Sequence, residues 1–261
     1  MVGNGVAAQR SPSTQREQPG ANGNVAAVSS AWFKLTEEVG TTVKANRVLV
    51  TDFDGTMTEH DFYSLVVGQM LPPDLPDHWA DYRAGQITHF EALQKYFAAI
   101  PVDELSAGRL LRKMKLDPDL KTSVSRLEKS GWKVVVASAG CQWYIDKLLA
   151  VAGVELEVHA NPGRFEPGQG LLMELPTDSP FFCRAYGIHK AGIVQHFLRS
   201  GATVAFAGDG FPDVDAARAV PAGLRFARRD LAAVLRRDGD AFQTYRIWSE
   251  VVGHLLKLST A

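Results

Sequence analysis

Cysteine is nearly missing from this 261-residue chain, which carries only Cys141 and Cys183 and no Cys-x-x-Cys pair. That excludes a disulfide framework and a cysteine-rich structural zinc site, and leaves room for a single disulfide. An excess of charge is missing too: 28 Lys and Arg stand against 29 Asp and Glu, a net charge of −1. A general nucleic-acid binder is usually basic, so that class is set aside. No apolar run approaches the ~18 residues of a membrane span. The N-terminus lacks the apolar core of a signal peptide, because Val2 to Ser30 is rich in Gly, Ala, Asn, Gln and Ser. The expectation is a cytoplasmic protein that meets neither nucleic acid nor membrane.

What is present is an ordinary globular composition, 46% hydrophobic and 22% charged. The length suits one large domain, or a core with a smaller insert. Residues 1–30 hold few large apolar side chains to offset the entropy of ordering, so the expectation there is a disordered tail, with a partner-binding tail as the alternative. Ala31 to Gly40 reads as a short helix anchored by Trp32 and Phe33.

A regular pattern then begins. Arg47 to Thr51 is a β-branched apolar run that ends in Asp52-Phe53-Asp54-Gly55, a buried strand feeding a tight loop. From Asp61 to about Leu127 the spacing is helical, as in Phe90, Leu93, Phe97 and Ile100, and Pro72, Pro73 and Pro76 break the helices. A second buried strand, Lys133 to Ala137, ends in Ser138-Ala139-Gly140. Cys141 to Val151 reads as a helix, Val154 to Ala160 as a third strand, and His189 to Arg199 as an amphipathic helix stopped by Gly201. Thr203 to Ala207 is another strand, ending in Gly208-Asp209-Gly210; Leu224 to Ala227 is the last, and two helices close the chain. Strands alternating with helices predict an α/β fold whose mostly parallel sheet is covered on both faces. The helical block after the first strand is too long for a crossover. The predicted organisation is therefore a core of residues 31–61 and 126–261 with a helical cap, residues 62–125, inserted into it.

In such a sheet the strand ends gather at one edge, where ligands bind. Asp52 and Asp54, Ser138, and Asp209 with Asp213 are thus expected to converge. Clustered carboxylates repel one another, and a hard cation such as Mg²⁺ relieves that repulsion through oxygen ligands. One carboxylate is then suited to attack phosphorus, and another two residues later to move the proton. The Ser138 hydroxyl and backbone N–H groups beside it, at Ala139, suit phosphoryl oxygens. Lys190, which opens a helix, is the best placed cation to balance their charge.

These residues resemble the four motifs of the haloacid dehalogenase superfamily. Asp52-Phe53-Asp54-Gly55-Thr56-Met57-Thr58 is similar to the first, Ser138 after its strand to the second, Lys190 to the third, and Gly208-Asp209-Gly210-Phe211-Pro212-Asp213 to the fourth. The resemblance spans roughly residues 46–258 and implies a Rossmann-like core. It implies Asp52 as nucleophile, Asp54 as general acid/base, and Ser138, Ala139 and Lys190 as phosphate-binding residues. It also implies Mg²⁺ held by Asp52, the Asp54 carbonyl and Asp209, with Asp213 in support. An acid at the Asp54 position marks the superfamily's phosphatases and mutases. The helical insert resembles a C1-type cap, and Gly85 to Leu93 is similar to the turn and helix of phosphoserine phosphatase-like caps. The overall pattern, including Asp61, Tyr186 to Lys190 and Phe226-Ala227-Arg228, is similar to the MtnX-like branch of subfamily IB, whose substrate chemistry is a methionine-salvage enol-phosphate. Members of that branch often carry several cysteines before the lysine, where this chain has only Cys183. The implied activity is a phosphomonoesterase on a small phosphate ester. A phosphoserine- or phosphoethanolamine-type phosphatase, a phosphotransferase or mutase, and a binding protein that has lost catalysis stand as alternatives.

Other residues carry two readings. Asp61 suits a helix cap or a substrate contact. His60, Tyr63, Arg83 and Glu91 belong to the cap surface or to substrate recognition. Trp143 and Tyr144 belong to the core or to the entrance of the site. The arginines at 225, 228, 229, 236 and 237 read as a solvated helix face rather than a nucleic-acid patch.

Overall fold

The computed structural model describes residues 47–258; the expected tail and the Ala31–Gly40 helix lie outside them. Strand β1 (Arg47–Thr51) is followed by four helices, α1 (Phe62–Gln69), α2 (His78–Arg83), α3 (His89–Ala98) and α4 (Glu104–Leu111). Then come α5 (Leu120–Lys129), β2 (Trp132–Cys141), α6 (Gln142–Ala152) and β3 (Glu157–Asn161). Two short antiparallel pairs follow, β4 (Gly163–Glu166) with β5 (Gly170–Met173), and β6 (Phe182–Cys183) with β7 (Gly187–Ile188). The chain continues through α7 (Lys190–Arg199), β8 (Thr203–Gly208), α8 (Val214–Arg218), β9 (Arg225–Ala227), α9 (Arg229–Arg237), β10 (Gln243–Thr244) and α10 (Trp248–Leu258).

Six strands form one sheet in the order β10-β9-β8-β1-β2-β3, and every neighbouring pair is parallel. The apolar runs make this stable because both faces are covered. Alternation sends Leu49, Val134, Val136 and Ala205 into one core and Val48, Val50, Val135, Val204 and Phe206 into the other. The first core also takes the apolar faces of α3, α5 and α10; the second takes α7 to α9. Each side chain so buried contributes ~1.5–3 kcal/mol, which sets register along with face.

The helices α1 to α4 leave and rejoin the core at one narrow neck. Thr58 and Leu116 form an antiparallel bridge, the Glu59 and His60 N–H groups donate to Lys115 and Met114 carbonyls at 3.0 Å, and Asp117 N–H donates to Met57 at 2.9 Å. Helix α3 shows why its sequence starts a helix. Thr88 Oγ1 accepts from Glu91 N–H at 3.1 Å while Glu91 Oε2 accepts from Thr88 N–H at 2.7 Å, a reciprocal cap. Its Phe90, Leu93 and Phe97, with Ile100 beyond, are buried as their spacing predicts.

Three departures from the sequence reading stand out. Strand β2 does not stop at Ala137 but runs irregularly to Cys141, with its register against β3 shifting between Ala137 and Cys141. The β4–β5 hairpin was not foreseen; it lies against α3, where Gln94 Nε2 donates to the Met173 carbonyl at 2.8 Å. Strand β10 adds a sixth member beyond β9, too short for its periodicity to register. Among the described residues no helix is long and apolar enough to cross a membrane.

Candidate active site

The polar residues that follow β1, β2 and β8 meet at one edge of the sheet. Asp52 continues β1, its N–H donating to the Ala207 carbonyl at 2.9 Å. Lys190 is the first residue of α7 and only 4% exposed. Its Nζ donates to Asp52 Oδ1 at 2.7 Å and to Asp213 Oδ1 at 2.6 Å. Burial alone would lower the lysine pKa, but the two carboxylates hold it above the usual lysine range. Asp213 Oδ2 accepts from the N–H groups of Asp209 and Gly210, each at 2.9 Å. Both Asp213 oxygens are thereby used, which locks the loop after β8. Asp209 faces Arg229, whose Nη1 lies 3.2 Å from Oδ2.

Asp54 points toward the first turns of α1 and α6. Tyr144 Oη donates to its Oδ2 at 2.6 Å and Phe62 N–H donates to its Oδ1 at 3.1 Å. Gly140 permits this approach, since a Cβ there would overlap Tyr144 Oη and reach within 2.7 Å of Asp54 Oδ2. Gly55 is needed for two reasons: its φ is +65°, and a Cβ would collide with the Asp209 carboxylate. Ser138 Oγ accepts from Gly140 N–H at 3.0 Å. That leaves its own proton available to an oxygen in the cavity.

Asp52, Asp54, Ser138, Ala139, Lys190, Asp209 and Asp213 all line one cavity of about 130 Å³. The topology therefore brings together residues separated by up to about 160 positions. On the side of α1 to α3 the same cavity carries Asp61, Tyr63, Trp79, His89, Leu93 and Phe97. A larger apolar groove of about 1180 Å³, between α4, α6 and the β4–β5 hairpin, contains none of the seven.

The electrostatics are those of crowded acids. Burial pushes the Asp52 carboxyl up to about 7, against the pull of Lys190 and with the repulsion of Asp213. Burial, then repulsion from Asp52 and Asp213, pushes Asp209 up to about 8. Asp54 is held well above the usual carboxylate range by burial and by Asp61, with the Tyr144 hydrogen bond opposing. Carboxylate oxygens of Asp52, Asp209 and Asp213 lie within 4.8 Å of one another. Asp52 Oδ2 and Asp209 Oδ1 stand outside the bonds just described. This all-oxygen donor set fits a hard divalent cation.

The double readings now resolve. Asp61 is an N-cap, its Oδ1 accepting from Ser64 N–H at 2.9 Å, and it also lines the cavity. Tyr63 lines the cavity; Glu91 caps α3, and Arg83 pairs with Asp77 at 3.0 Å. Trp143 packs on Phe62 and Phe165, away from the cavity. Tyr144 is both core and site: its ring sits 4.6 Å from Phe62 while its hydroxyl holds Asp54. Sequence reasoning gave it no role in the chemistry, and its only signal was an aromatic residue in the turn after Ser138. Both cysteines are free, and burial pushes the Cys141 thiol up to about 12, which makes it inert.

The arginine group needs correction. Arg225 is buried, donating to the Ala217 and Val220 carbonyls at 2.7 and 3.0 Å. Arg228 donates to the Gly55 and Thr58 carbonyls, each at 2.6 Å, and so clamps the loop that carries Asp52 and Asp54. Arg229 adopts a left-handed φ of 48° beside Asp209. Arg225 and Arg228 are structural donors rather than part of a solvated face, because carbonyls left open at loop ends recruit them, whereas Arg229, Arg236 and Arg237 are exposed as the sequence predicts.

Comparison with known proteins bears on the family and the fold. A model of the haloacid dehalogenase-like hydrolase family matches residues 49–218. A 2-hydroxy-3-keto-5-methylthiopentenyl-1-phosphate phosphatase of Exiguobacterium sibiricum is 22% identical over 79% of this chain and 95% of its own. One of the same description from Bacillus pumilus is 23% identical over 69% of this chain and 78% of its own. Among solved structures, a phospho-aspartyl intermediate analogue of phosphoserine phosphatase aligns with a TM-score of 0.57 at 16% identity, over 80% of this chain and 98% of that one. A hydrolase of Salmonella enterica serovar Typhi aligns with a TM-score of 0.57 at 16% identity, over 77% of this chain and 68% of its own.

Proposed function

The chain belongs to the haloacid dehalogenase-like hydrolase family, and from that premise we propose that it is a Mg²⁺-dependent cytoplasmic phosphomonoesterase acting on a small phosphorylated metabolite. The observation that carries this reading is the meeting of Asp52, Asp54, Ser138, Lys190, Asp209 and Asp213 around one cavity. Asp52 is the nucleophile: one of its carboxylate oxygens attacks phosphorus, and the bond to the ester oxygen breaks. Asp54, held by Tyr144 and the Phe62 N–H, gives its proton to the departing alkoxide. Asp54 then takes a proton from a water that attacks the aspartyl-phosphate, freeing inorganic phosphate and restoring Asp52. Lys190 and the Ser138 hydroxyl neutralise and orient the phosphoryl oxygens, with Ala139 forming the wall beside them. Asp52, the Asp54 carbonyl and Asp209 would hold Mg²⁺, with Asp213 supporting Asp209 through its backbone N–H. The cation would supply charge neutralisation at phosphorus and among the acids.

The block of α1 to α4 is the cap, joined to the core at the Thr58–Leu116 bridge. The cavity beneath it has a volume of about 130 Å³, below the ~300–1,000 Å³ of ordinary ligand pockets. This favours a small ester and excludes bulk water during the reaction. The names of the relatives favour 2-hydroxy-3-keto-5-methylthiopentenyl-1-phosphate as that ester.

The test is phosphate release from that enol-phosphate, phosphoserine, phosphoethanolamine and sugar phosphates, with Mg²⁺ or with chelator. We expect chelator-sensitive turnover that falls about a thousandfold or more in Asp52→Asn. Turnover unchanged in Asp52→Asn would remove the nucleophile assignment. Transfer to an added alcohol in preference to water would make the protein a phosphotransferase.

A further inference from the structure

The reaction just described leaves the end of β3 without a role, and the most constrained side chain there is Asn161. It is fully buried and does not line the cavity. Its backbone pairs with Cys141, at the far side of the stretch in which the β2–β3 register shifts. Buried carbonyls in an irregular stretch still need donors. The Asn161 amide supplies them: Nδ2 donates to the Ala139 carbonyl at 2.8 Å and to the Tyr186 carbonyl at 3.0 Å. The Oδ1 of the same amide is buried without a partner. It lies against Gly187, whose φ is +80° and where a Cβ would overlap it. An unmatched oxygen is a cost, so the position is held for its two donors. The glycine opposite makes room for the group that carries them.

The two carbonyls belong to the two halves of the phosphate site. The Ala139 carbonyl is one end of a peptide whose other end, the Gly140 N–H, donates to Ser138 Oγ at 3.0 Å. Asn161 and Ser138 thus grip one planar unit from opposite sides, and its orientation decides where the Ser138 hydroxyl can send its proton. The Tyr186 carbonyl opens the run Gly187-Ile188-His189 that leads into α7, whose first residue is Lys190. The His189 N–H pins that run a second time, donating to the Phe181 carbonyl at 2.8 Å. One amide therefore spans the loop of Ser138 and the approach to Lys190.

Resting on the phosphatase reading of this cavity, we infer that Asn161 is a positioning residue for the phosphoryl group: it touches no substrate, and it sets the spacing between the Ser138 hydroxyl and the Lys190 ammonium that receive the phosphoryl oxygens. Asp52 and Asp209 sit on the loops after β1 and β8 and are held by bonds in which Asn161 has no part. Asn161 therefore governs affinity for the oxyanion and leaves affinity for the cation alone. A misplacement of about 1 Å in such a site is enough to cost about a hundredfold.

The experiment titrates inorganic phosphate, the reaction's product, into the full chain in saturating Mg²⁺, and Mg²⁺ separately into the metal-free chain, both by calorimetry. Asn161→Leu keeps the outline of the side chain and removes both donors. Asn161→Ser removes volume instead, and covers the case in which the leucine variant fails to fold. In either, the phosphate Kd should rise about 10–100-fold, and kcat/KM for the ester that the wild type turns over fastest should fall by at least as much. The Mg²⁺ Kd should stay within about threefold. A double variant supplies a readout that a packing defect would not move. Because Asn161 acts partly through the Ser138 hydroxyl, its substitution in a Ser138→Ala background should cost less than in the wild type. A folded variant whose phosphate Kd and kcat/KM change less than about tenfold would overturn the inference. So would equal weakening of phosphate and Mg²⁺, or full additivity with Ser138→Ala. Failure of both variants to fold would make Asn161 a structural residue and overturn it as well. Asp52→Asn run in parallel separates the failures. Turnover lost in Asp52→Asn, with phosphate affinity indifferent to Asn161, sinks this inference alone. A wild type that binds no inorganic phosphate and releases none from any ester sinks the phosphatase reading with it.

Discussion

Replacing Tyr144 with Phe removes one oxygen and leaves the ring. The ring stays packed 4.6 Å from Phe62, 6.4 Å from Phe97 and 6.5 Å from Phe53, so no cavity opens. The missing oxygen served two neighbours. It donated to Asp54 Oδ2 at 2.6 Å and accepted from Cys141 N–H at 3.1 Å. A buried polar group left unmatched costs about 1–3 kcal/mol, so the two together predict a loss of roughly 2–6 kcal/mol. In a domain of this size each kcal/mol lowers Tm by about 2–4 °C. The predicted shift is therefore roughly 4–24 °C, read by calorimetry. The catalytic effect has a different signature. In the proposed mechanism Asp54 moves the proton in both half-reactions, and general acid–base catalysis contributes ~10²–10⁴-fold. Loosening Asp54 without removing it should cost kcat about 10–100-fold and change KM little. The same hydrogen bond holds the Asp54 pKa down, so the kcat profile of the variant moves to higher pH. A Tm that falls while kcat and its pH profile stay put would show that Tyr144 only fills space. Unchanged Tm and unchanged kcat would refute the geometry itself.

Two further outcomes follow from the same cluster. Lys190→Met removes the one cation that bridges Asp52 and Asp213, and breaking a buried ion pair costs about 3–5 kcal/mol; a destabilisation below about 1 kcal/mol by denaturant titration would contradict the bridge. The pH dependence of stability without Mg²⁺ has a definite sign. Asp52 and Asp209 rise from 3.8 in the unfolded chain to about 7 and about 8 in the folded one. Between those values the native chain binds more protons than the unfolded chain, so stability falls as pH rises through that window. Tm measured in chelator should drop between pH 5 and pH 9, and saturating Mg²⁺ should flatten the drop; a Tm that climbs with pH in chelator would refute the crowding of these acids.

The legible parts of this molecule were those whose signal is local. Val48, Leu49 and Val50 form a run that is buried on both faces, and a run of that kind has one comfortable home, the middle of a parallel sheet. Once three such runs are parallel, the acids and the serine that follow them are brought to one edge by topology alone, whatever their separation along the chain. The illegible parts were those whose partner is a carbonyl or a distant side chain. Arg228 clamps the Gly55 and Thr58 carbonyls across about 170 residues, and a carbonyl has no side-chain signature to pair with an arginine. Tyr144 reaches Asp54 only because Gly140 lacks a Cβ and β2 loses its register just before α6 begins. In each case the atoms that do the chemistry can be named from strand ends, while the atoms that aim them depend on backbone irregularities that periodicity averages away. The aim of Asp54 is therefore a property of the folded neighbourhood, and a substitution at Gly140, whose new Cβ would overlap Tyr144 Oη, should disturb Asp54 as surely as a change to Tyr144 itself.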